Sequence, residues 1–215
     1  MIEATYIAHM GSDLTVANAA RVSFGKKSEM EDDPWGPPKL KAKDDKLIRY
    51  LAKHRHISPF GHCFASFHVK APIFVARQLV KHKFLRWNEI SRRYVDDEPE
   101  FYVPDVWRGR SADKKQGSDG VVDVGDWGDT NWACLKAYND LLEHGVAPEM
   151  ARMVLPQSTM TEWYWSGSLY AFAKMCGLRL KPDTQYETRL VAEQIEDKMT
   201  ELFPESWTAL RAYAE

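Results

Sequence analysis

The stretch SPFGHCFASFHVKAPIFVARQ, residues 58–78, contains a change of hydrophobic period that indicates the fold class. Between Pro59 and Pro72 two sets of side chains alternate, which predicts a β-strand with both faces at least partly covered. Beyond Pro72 the apolar residues recur at helical spacing as far as Phe84, and Pro72 suits a first helical turn. The sequence therefore predicts a strand followed directly by a helix.

The rest of the chain has few strand signals and several helical ones. TMTEWYW, residues 159–165, is predicted as a short aromatic strand, and the Gly-, Asp- and Ser-rich stretch 106–130 as a long surface loop. One helix is predicted to begin after the cap candidates Asp44 and Asp45, a second to end at Gly145, and a third to start at Pro148. A fourth follows the cap candidate Ser166, and the last runs from about Asp183 to Phe203, where Pro204 ends it. These patterns predict one α+β domain over residues 1–215, with an insertion at 106–130.

Composition and charge narrow the function classes. The 215 residues carry a formal net charge of −2, which argues against a general nucleic-acid-coating protein. No apolar run is long enough for a membrane span, and the N-terminus lacks the pattern of a signal peptide, so we expect a cytoplasmic protein with no membrane partner. Cys63, Cys134 and Cys176 are far apart and odd in number, which favours reduced, structural thiols.

Positive charge is nevertheless concentrated in ARQLVKHKFLRWNEISRRYV, residues 76–95. Ser91, Arg92 and Arg93 offer a hydroxyl and two guanidinium groups at a predicted helix-to-loop boundary, and that set matches the oxygens of a phosphate ester. Gln78 and Asn88 can each donate and accept, as the edge of a base requires. The alternative is a solvated basic helix end, but the interleaved aromatic residues favour a nucleotide ligand.

Standard catalytic motifs are absent from the sequence. It contains no GxxxxGK[ST], GxGxxG, HExxH or GxSxG pattern. The nearest metal-like cluster, His54, His56 and His62, has no carboxylate at ligand spacing, so we expect no metal site.

The basic stretch resembles the signature of the flavin-dependent thymidylate synthases, which is usually RHR followed after seven residues by Ser. Here the signature is present as a KHK variant, within RQLVKHKFLRWNEISRRY. Five further blocks resemble the family in the same order: AARVSF (19–24), HISPFGH (56–62), FHVKAPIFVARQ (67–78), ARMVLP (151–156) and LRLKPDTQYE (178–187). Collinear blocks make a chance match very improbable.

The resemblance implies an antiparallel sheet packed with several long helices, in a homotetramer whose active sites form where subunits meet. It further implies FAD as cofactor, dUMP as substrate, methylenetetrahydrofolate as one-carbon donor and NADPH as reductant, with dTMP as product. No cysteine nucleophile is needed in such an enzyme, and no nucleic acid is expected as a partner.

The family's functional residues can be carried over by position. The resemblance implies a catalytic role for Arg179, beside the uracil ring, where a cation would favour the ionised base. The implied substrate-binding residues are Gln78, Lys81, Glu89, Ser91, Arg92, Arg93, Arg152 and Arg179. The implied flavin-binding residues are His56, Ser58, Lys81, His82, Lys83, Phe84, Glu89, Ser168, Tyr170 and Lys174.

Departures from the family pattern fall mainly on the flavin side. Lys81 and Lys83 keep the charge of the usual arginines but lose the planar fork, and Gly61 stands where the family commonly has Glu. Ser168, Tyr170 and Lys174 replace the usual Asn and Arg side chains, and Asp183 replaces a His. We expect FAD to bind, either weakly or with Tyr170 stacking on part of it.

Two alternatives remain open from sequence. One is a pyrimidine-nucleotide 5-hydroxymethylase, in which the altered flavin side lets water end the reaction. The other is a non-catalytic nucleotide- or single-strand-binding module. The presence of Arg152 and Arg179, far along the chain from the basic stretch, favours an active site over such a module.

Overall fold

The computed structural model describes residues 1–113, 116–125 and 128–213. Its strands are β1 (Glu3–Met10), β2 (Phe64–Pro72), β3 (Leu85–Glu89), β4 (Arg108–Arg110), β5 (Ser118–Val121) and β6 (Met160–Ser168). Its α-helices are α1 (Asp13–Arg21), α2 (Ala42–Lys53), α3 (Ile73–Leu79), α4 (Gly128–Glu143), α5 (Pro148–Ala151), α6 (Leu169–Arg179), α7 (Tyr186–Leu202) and α8 (Pro204–Ala212). Short 3-10 helices span Val22–Phe24, Ser58–His62 and Arg152–Val154.

A four-stranded antiparallel sheet has the strand order β1-β2-β6-β3. The two central strands, β2 and β6, pair along their whole lengths, from Phe64 opposite Ser168 to Pro72 opposite Met160. The strand predicted from the alternating stretch is thus confirmed over residues 64–72. Its predicted first residues form a 3-10 helix instead, because Pro59 fixes a helical backbone angle near the start of that helix.

Helices α6 and α7 form one hydrophobic core together with the four-stranded sheet. Phe172 of α6 makes edge-to-face contacts with Phe67 of β2 and Trp165 of β6, with ring centroids 5.3 and 5.6 Å apart. Helix α7 buries Val191, Ile195 and Met199, which recur at helical spacing. The α+β class predicted from the sequence is confirmed.

The helix predicted to continue to Phe84 ends at Leu79. Val80 and Phe84 kept the helical spacing, but both are exposed, so they add nothing to a buried face. Phe84 has a φ of +66°, which no helix accommodates, and this turn reverses the chain so that β3 can pair with β6. Ser91, Arg92 and Arg93 therefore follow a strand, and the predicted helix-to-loop boundary is wrong.

The predicted helix caps are also corrected. Helix α2 begins at Ala42, so Asp44 lies inside its first turn, where it is buried and accepts hydrogen bonds from Arg21 and Ser28. The cap of α6 is Ser168, not Ser166, because the strand continues to Ser168 and its hydroxyl accepts from the Ala171 amide at 3.3 Å.

The end of α7 was predicted correctly, but its start was not. The helix begins at Tyr186, three residues after the predicted Asp183. Pro204 ends it, as predicted, but also begins α8, since proline suits a first helical turn. Gly145 follows the end of α4 with a φ of +78°, as the prediction of a helix stop requires.

The stretch 106–130 is more ordered than a surface loop. It contains the antiparallel hairpin β4–β5, which pairs Arg110 with Ser118, and the first residues of α4. Residues 114–115 and 126–127 of this stretch lie outside the described residues. Short strands without buried alternation leave no hydrophobic period in the sequence, which is why the hairpin was missed.

Gly167 of β6 determines how closely β3 approaches the sheet. It lies opposite Leu85, and a Cβ atom at Gly167 would overlap the Leu85 side chain and lie 2.9 Å from the Phe84 carbonyl oxygen. The lack of a side chain therefore positions both the start of β3 and the turn at residues 81–84 that precedes it.

Gly167→Ala should lower the free energy of unfolding by about 1–3 kcal/mol, because the added methyl group overpacks the β3–β6 contact. Urea unfolding measures this change. The matched control is Gly61→Ala, where a Cβ atom meets nothing within 4 Å and the expected change is within about 0.5 kcal/mol. Equal effects of the two substitutions would contradict the assigned role of Gly167.

Candidate active site

A cleft of about 980 Å³ lies where the end of α3, the end of α6, the start of α7 and the β4–β5 hairpin meet. Gln78 and Arg179 line it from α3 and α6, and Glu187 and Arg108 line it from α7 and the hairpin. Its walls also include the apolar side chains of Phe74, Tyr102, Val106, Trp107 and Leu178. A concave site of this size with mixed apolar and charged walls is typical of small-molecule binding.

Arg179 is the last residue of α6 and is fixed by two hydrogen bonds. Its Nε donates to Nε2 of His82 at 2.9 Å, and its Nη2 donates to the Gln78 carbonyl oxygen at 2.8 Å. Burial lowers the pKa of Arg179, but a guanidinium remains protonated near neutral pH. The cleft wall therefore holds a positive charge in a defined position.

His82 is a neutral hydrogen-bond acceptor in this arrangement. Burial, followed by the charge of Arg179, lowers the pKa of His82 to about 4. Because Nε2 accepts from Arg179, the ring proton is assigned to Nδ1. His82 orients Arg179 in this structure; the predicted contact of His82 with the flavin stays a prediction.

Gln78 connects α3 to the loop before α7. Its Nε2 donates to Oε1 of Gln185 at 2.5 Å and to the Phe74 carbonyl oxygen at 3.4 Å. Lys81 also lines the cleft. The structure thus brings Gln78, Lys81 and Arg179 together, as the sequence predicted for one substrate site.

A second group of predicted substrate-binding residues lies near the end of β3 and consists of Glu89, Ser91, Arg92, Arg93 and Arg152. None of them is among the described residues that line the cleft. Arg93 and Arg152, from distant parts of the chain, both contact Glu149 of α5: the Arg93 Nε lies 4.0 Å from its carboxylate, and the Arg152 Nε donates to its carbonyl oxygen at 3.3 Å. Both arginines are exposed, so they form a basic surface beside α5.

The other members of the second group have local partners. Arg92 donates to the Asp97 carbonyl oxygen at 2.7 Å, and the Ser91 hydroxyl accepts from the Arg93 amide at 3.4 Å. Glu89 accepts hydrogen bonds from Trp87 Nε1 at 3.0 Å and Thr161 Oγ1 at 2.7 Å.

A third group occupies the other end of α6. Tyr170 and Lys174 line a depression of about 60 Å³ together with Arg55 and Ile57, which flank the exposed His56 and precede Ser58. At about 1.5 Å per residue, Tyr170 lies roughly 14 Å along the helix from Arg179. The hydroxyl of Ser168 caps α6, so its observed role is structural.

The residues present fit a flavin nucleotide in part. The turn at residues 81–84 exposes two ammonium groups and the ring of Phe84, which suit the phosphates and a planar ring of such a cofactor. Gly61 leaves open space where a Cβ atom would meet nothing within 4 Å. The depression at Tyr170 is too small to enclose a flavin by itself, so that end needs a further wall.

Sequence reasoning missed Arg108, Tyr102 and Glu187. Arg108 pairs with Glu187, donates to the Ser118 hydroxyl at 3.0 Å, and places its guanidinium 4.5 Å from the ring centre of Tyr186. The Tyr102 hydroxyl donates to the same oxygen of Glu187 at 3.3 Å, and burial followed by that carboxylate raises the pKa of Tyr102 to about 12. Glu187 ends the block LRLKPDTQYE, but nothing in the sequence links it to Arg108.

The cysteines are placed as structural residues. Cys63 is buried and its thiol donates to the Ser12 carbonyl oxygen at 3.4 Å; burial raises the pKa of Cys63 to about 11. Cys176 is buried and its pKa is also raised by burial. Neither thiol is available as a thiolate nucleophile at neutral pH.

The described residues contain neither a metal-binding cluster nor a membrane-spanning helix. Within residues 1–113, 116–125 and 128–213, no group of three or more His, Cys, Asp or Glu side chains is arranged to hold a metal ion. Over the same part of the chain, no helix is both long and apolar enough to cross a membrane.

A family model described as thymidylate synthase complementing protein matches residues 5–205. The chain belongs to this family, the flavin-dependent thymidylate synthases. A flavin-dependent thymidylate synthase of Thermus thermophilus is 40% identical over 212 residues, which cover 95% of this chain and 73% of that protein. That of Thermosipho africanus is 37% identical over 214 residues, with coverage of 95% and 89%. The predicted family resemblance is confirmed.

Solved structures of the family share the fold. The UMP/dUMP methylase of Streptomyces cacaoi, bound with 5-Br dUMP, is 32% identical, with a TM-score of 0.83 over 100% of this chain and 96% of that chain. The same methylase bound with 5-Br UMP gives a TM-score of 0.81 at 31% identity, covering 100% of this chain and 95% of that chain.

His82→Gln should remove part of the pH dependence of stability in this family member. The folded-state pKa of His82 is lowered from 6.5 to about 4, so between these values only the unfolded chain binds the proton. The free energy of unfolding of the wild type should therefore fall, relative to that of His82→Gln, as the pH falls through this window. Urea unfolding at several pH values measures the difference.

The matched control is His62→Gln, at an exposed position. Glutamine at position 82 can still accept from Arg179 but does not titrate. Parallel stability curves for the wild type and His82→Gln across the window would contradict the assignment of His82 as a neutral acceptor.

Proposed function

We propose that this enzyme carries out the reductive methylation of dUMP to dTMP as a flavin-dependent thymidylate synthase. The observation that carries the proposal is Arg179, a fixed cation at the wall of a cleft large enough for a nucleotide and a second ligand. Two of the family relatives above are named flavin-dependent thymidylate synthases, and the structural neighbour was solved with a brominated dUMP.

Arg179 acts on the pyrimidine ring in this proposal. A cation beside the ring stabilises negative charge on the base and so makes C5 more nucleophilic toward a one-carbon donor. The hydrogen bonds from Arg179 to His82 and to the Gln78 carbonyl oxygen keep the guanidinium oriented before the substrate binds. Pre-orientation of this kind reduces the reorganisation that the reaction needs.

The nucleotide phosphate is assigned to Arg93 and Arg152, with Ser91 and Arg92 beside them. The support for this assignment is the meeting of Arg93 and Arg152 at Glu149, which concentrates two guanidinium groups on one exposed surface. Gln78, Lys81 and Glu89 complete the proposed substrate set. Because the cleft and this surface are distinct within one chain, one nucleotide site could use the cleft of one subunit and the arginines of another.

FAD, when bound, supplies the hydride that reduces the transferred carbon. The residues that would hold it are His56 and Ser58, before β2, Tyr170 and Lys174 of α6, and the turn 81–84. Lys81 and Lys83 would neutralise its phosphates as point charges, and Phe84 would cover a planar face. Glu89 and the backbone around Ser168 complete this proposed set.

Methylenetetrahydrofolate and NADPH are the proposed co-substrates. A methylene group becomes a methyl group only by gaining two electrons and a proton, so a one-carbon donor at this oxidation level requires a separate reductant. NADPH would supply those electrons to the flavin. The buried Cys63 and Cys176 are consistent with a route that uses no cysteine nucleophile.

We further propose a homotetramer with active sites at subunit interfaces, located in the cytoplasm. Large apolar side chains are exposed, including Val22, Phe24 and Met153 at 70%, 79% and 70% of their surface, as expected of surfaces that subunits cover. The small depression at Tyr170 would gain its missing wall from a neighbouring subunit. Residues 1–215 are proposed to form one domain.

Arg179→Ala should lower kcat by about 100- to 1000-fold, the effect of removing one charge-stabilising donor from an active site. The assay incubates the purified protein with dUMP, methylenetetrahydrofolate, NADPH and FAD, and identifies the product by mass. The matched control is Arg189→Ala, on α7, whose guanidinium pairs with Glu193 and is not among the described residues that line the cleft. Thermal unfolding checks that both variants are folded.

The product mass separates the possible outcomes. A methylated nucleotide supports the proposal, whereas a hydroxymethylated one would show the variant transferase. A wild-type protein that binds no flavin and forms neither product would refute the enzyme proposal, and unchanged turnover in Arg179→Ala would refute the role of Arg179.

A further inference from the structure

Arg108 reaches from the β4–β5 hairpin to α7 across one side of the cleft. Its Nη2 pairs with Glu187, its Nε donates to the Ser118 hydroxyl at 3.0 Å, and its guanidinium lies 4.5 Å from the ring centre of Tyr186. These contacts fix the plane of the guanidinium at the cleft wall, which Arg108, Ser118 and Glu187 all line.

Glu187 is unusual because it is only 3% exposed, yet one of its two carboxylate oxygens has no hydrogen-bond partner among the described residues. Burying a carboxylate is costly unless it is paired, so the position of this residue needs an explanation beyond packing. Its other oxygen receives both Arg108 and the Tyr102 hydroxyl. The ion pair with Glu187 therefore holds Arg108 in place.

The guanidinium keeps donors that these contacts do not use. Of its five N–H groups, the hydrogen bonds to Ser118 and Glu187 engage Nε and Nη2, and Nη1 donates to no residue in the described part of the chain. A fork of this kind matches the paired oxygens of a phosphate or a carboxylate.

The charge of the cleft favours an anionic ligand. Lys81, Arg179 and Lys181 line it in addition to the Arg108–Glu187 pair, and Asp183 is the further acidic side chain among its described lining residues. A volume of about 980 Å³ leaves room for two ligands, and the phosphate and the folate glutamate both carry anionic oxygens.

We propose that Arg108, positioned by Glu187, is a substrate-binding residue whose unused N–H donors bind an anionic oxygen of a ligand in the cleft. The ligand group is either a carboxylate of the folate tail or the nucleotide phosphate, which would then replace the assignment of that phosphate to Arg93 and Arg152. The identity of these two ligands rests on the proposed function. Arg108 touches the ligand, whereas Glu187 acts through Arg108.

Paired probes with and without the anionic group test the proposal by isothermal titration calorimetry. dUMP is compared with deoxyuridine, and folate with its diamide, in which both glutamate carboxylates are replaced by uncharged amides. Arg108→Ala should weaken binding of one charged probe by about 10- to 100-fold, the range for a hydrogen bond to a charged group, and change its neutral counterpart by less than about threefold. A loss confined to dUMP assigns the phosphate, and a loss confined to folate assigns the carboxylate.

Three further variants separate binding from folding. Arg110→Ala removes an exposed arginine from the same strand and should leave all four affinities unchanged. Arg108→Lys keeps the charge and most of the packing but loses the fork, so it should show part of the selective loss even where Arg108→Ala folds poorly. Glu187→Gln should weaken the same charged probe, since Arg108 loses its ionic partner.

Equal losses for charged and neutral probes, or no loss in Arg108→Ala and Arg108→Lys, would overturn the inference and leave Arg108 as a residue that only anchors the hairpin. Arg108-dependent binding in a protein that makes no dTMP would refute the proposed function and support this inference. The two failures are therefore distinguishable.

Discussion

The close approach of β3 to β6 at Gly167 is the constraint on which the site depends. Because β6 lies between β2 and β3, the position of β3 fixes the turn at residues 81–84, and through His82 it fixes the partner of Arg179. A side chain at position 167 would push Leu85 and the Phe84 backbone away from the sheet. A glycine in a central strand usually weakens it, but here it permits a turn that carries functional groups.

Helix α6 carries predicted substrate and flavin residues in two separate regions. Its last residue, Arg179, faces the large cleft, whereas Tyr170 and Lys174 near its start line a depression that is too small for a flavin. Neither region includes the basic surface of Arg93 and Arg152. Among the described residues, the proposed site residues therefore lie in three separate regions, which supports the proposal that several chains assemble.

The sequence predicted the elements whose residues repeat with a clear period and are buried. β2, β6, α2, α6 and α7 belong to this class, because each turns one regular face to the core. β3, β4 and β5 were missed because they are short and mostly exposed, and Phe84 continued a helical spacing by coincidence. The same holds for the candidate site. Gln78 and Arg179 were predicted because they lie in sequence blocks that resemble the family, whereas Arg108 was missed because it contacts Glu187 only in the folded chain.

The three residues of the KHK variant, Lys81, His82 and Lys83, differ in their contacts. Lys81 and Lys83 are exposed, so replacing arginine with lysine there removes hydrogen-bond geometry from the ligand side without disturbing a buried contact. His82 is half-buried and accepts from Arg179, a contact that a positively charged side chain at this position would oppose. The lysines therefore affect the proposed cofactor contacts, whereas the histidine affects the orientation of Arg179. A sequence that alters Lys81 and Lys83 and keeps His82 can change the proposed cofactor contacts while it preserves the orientation of Arg179.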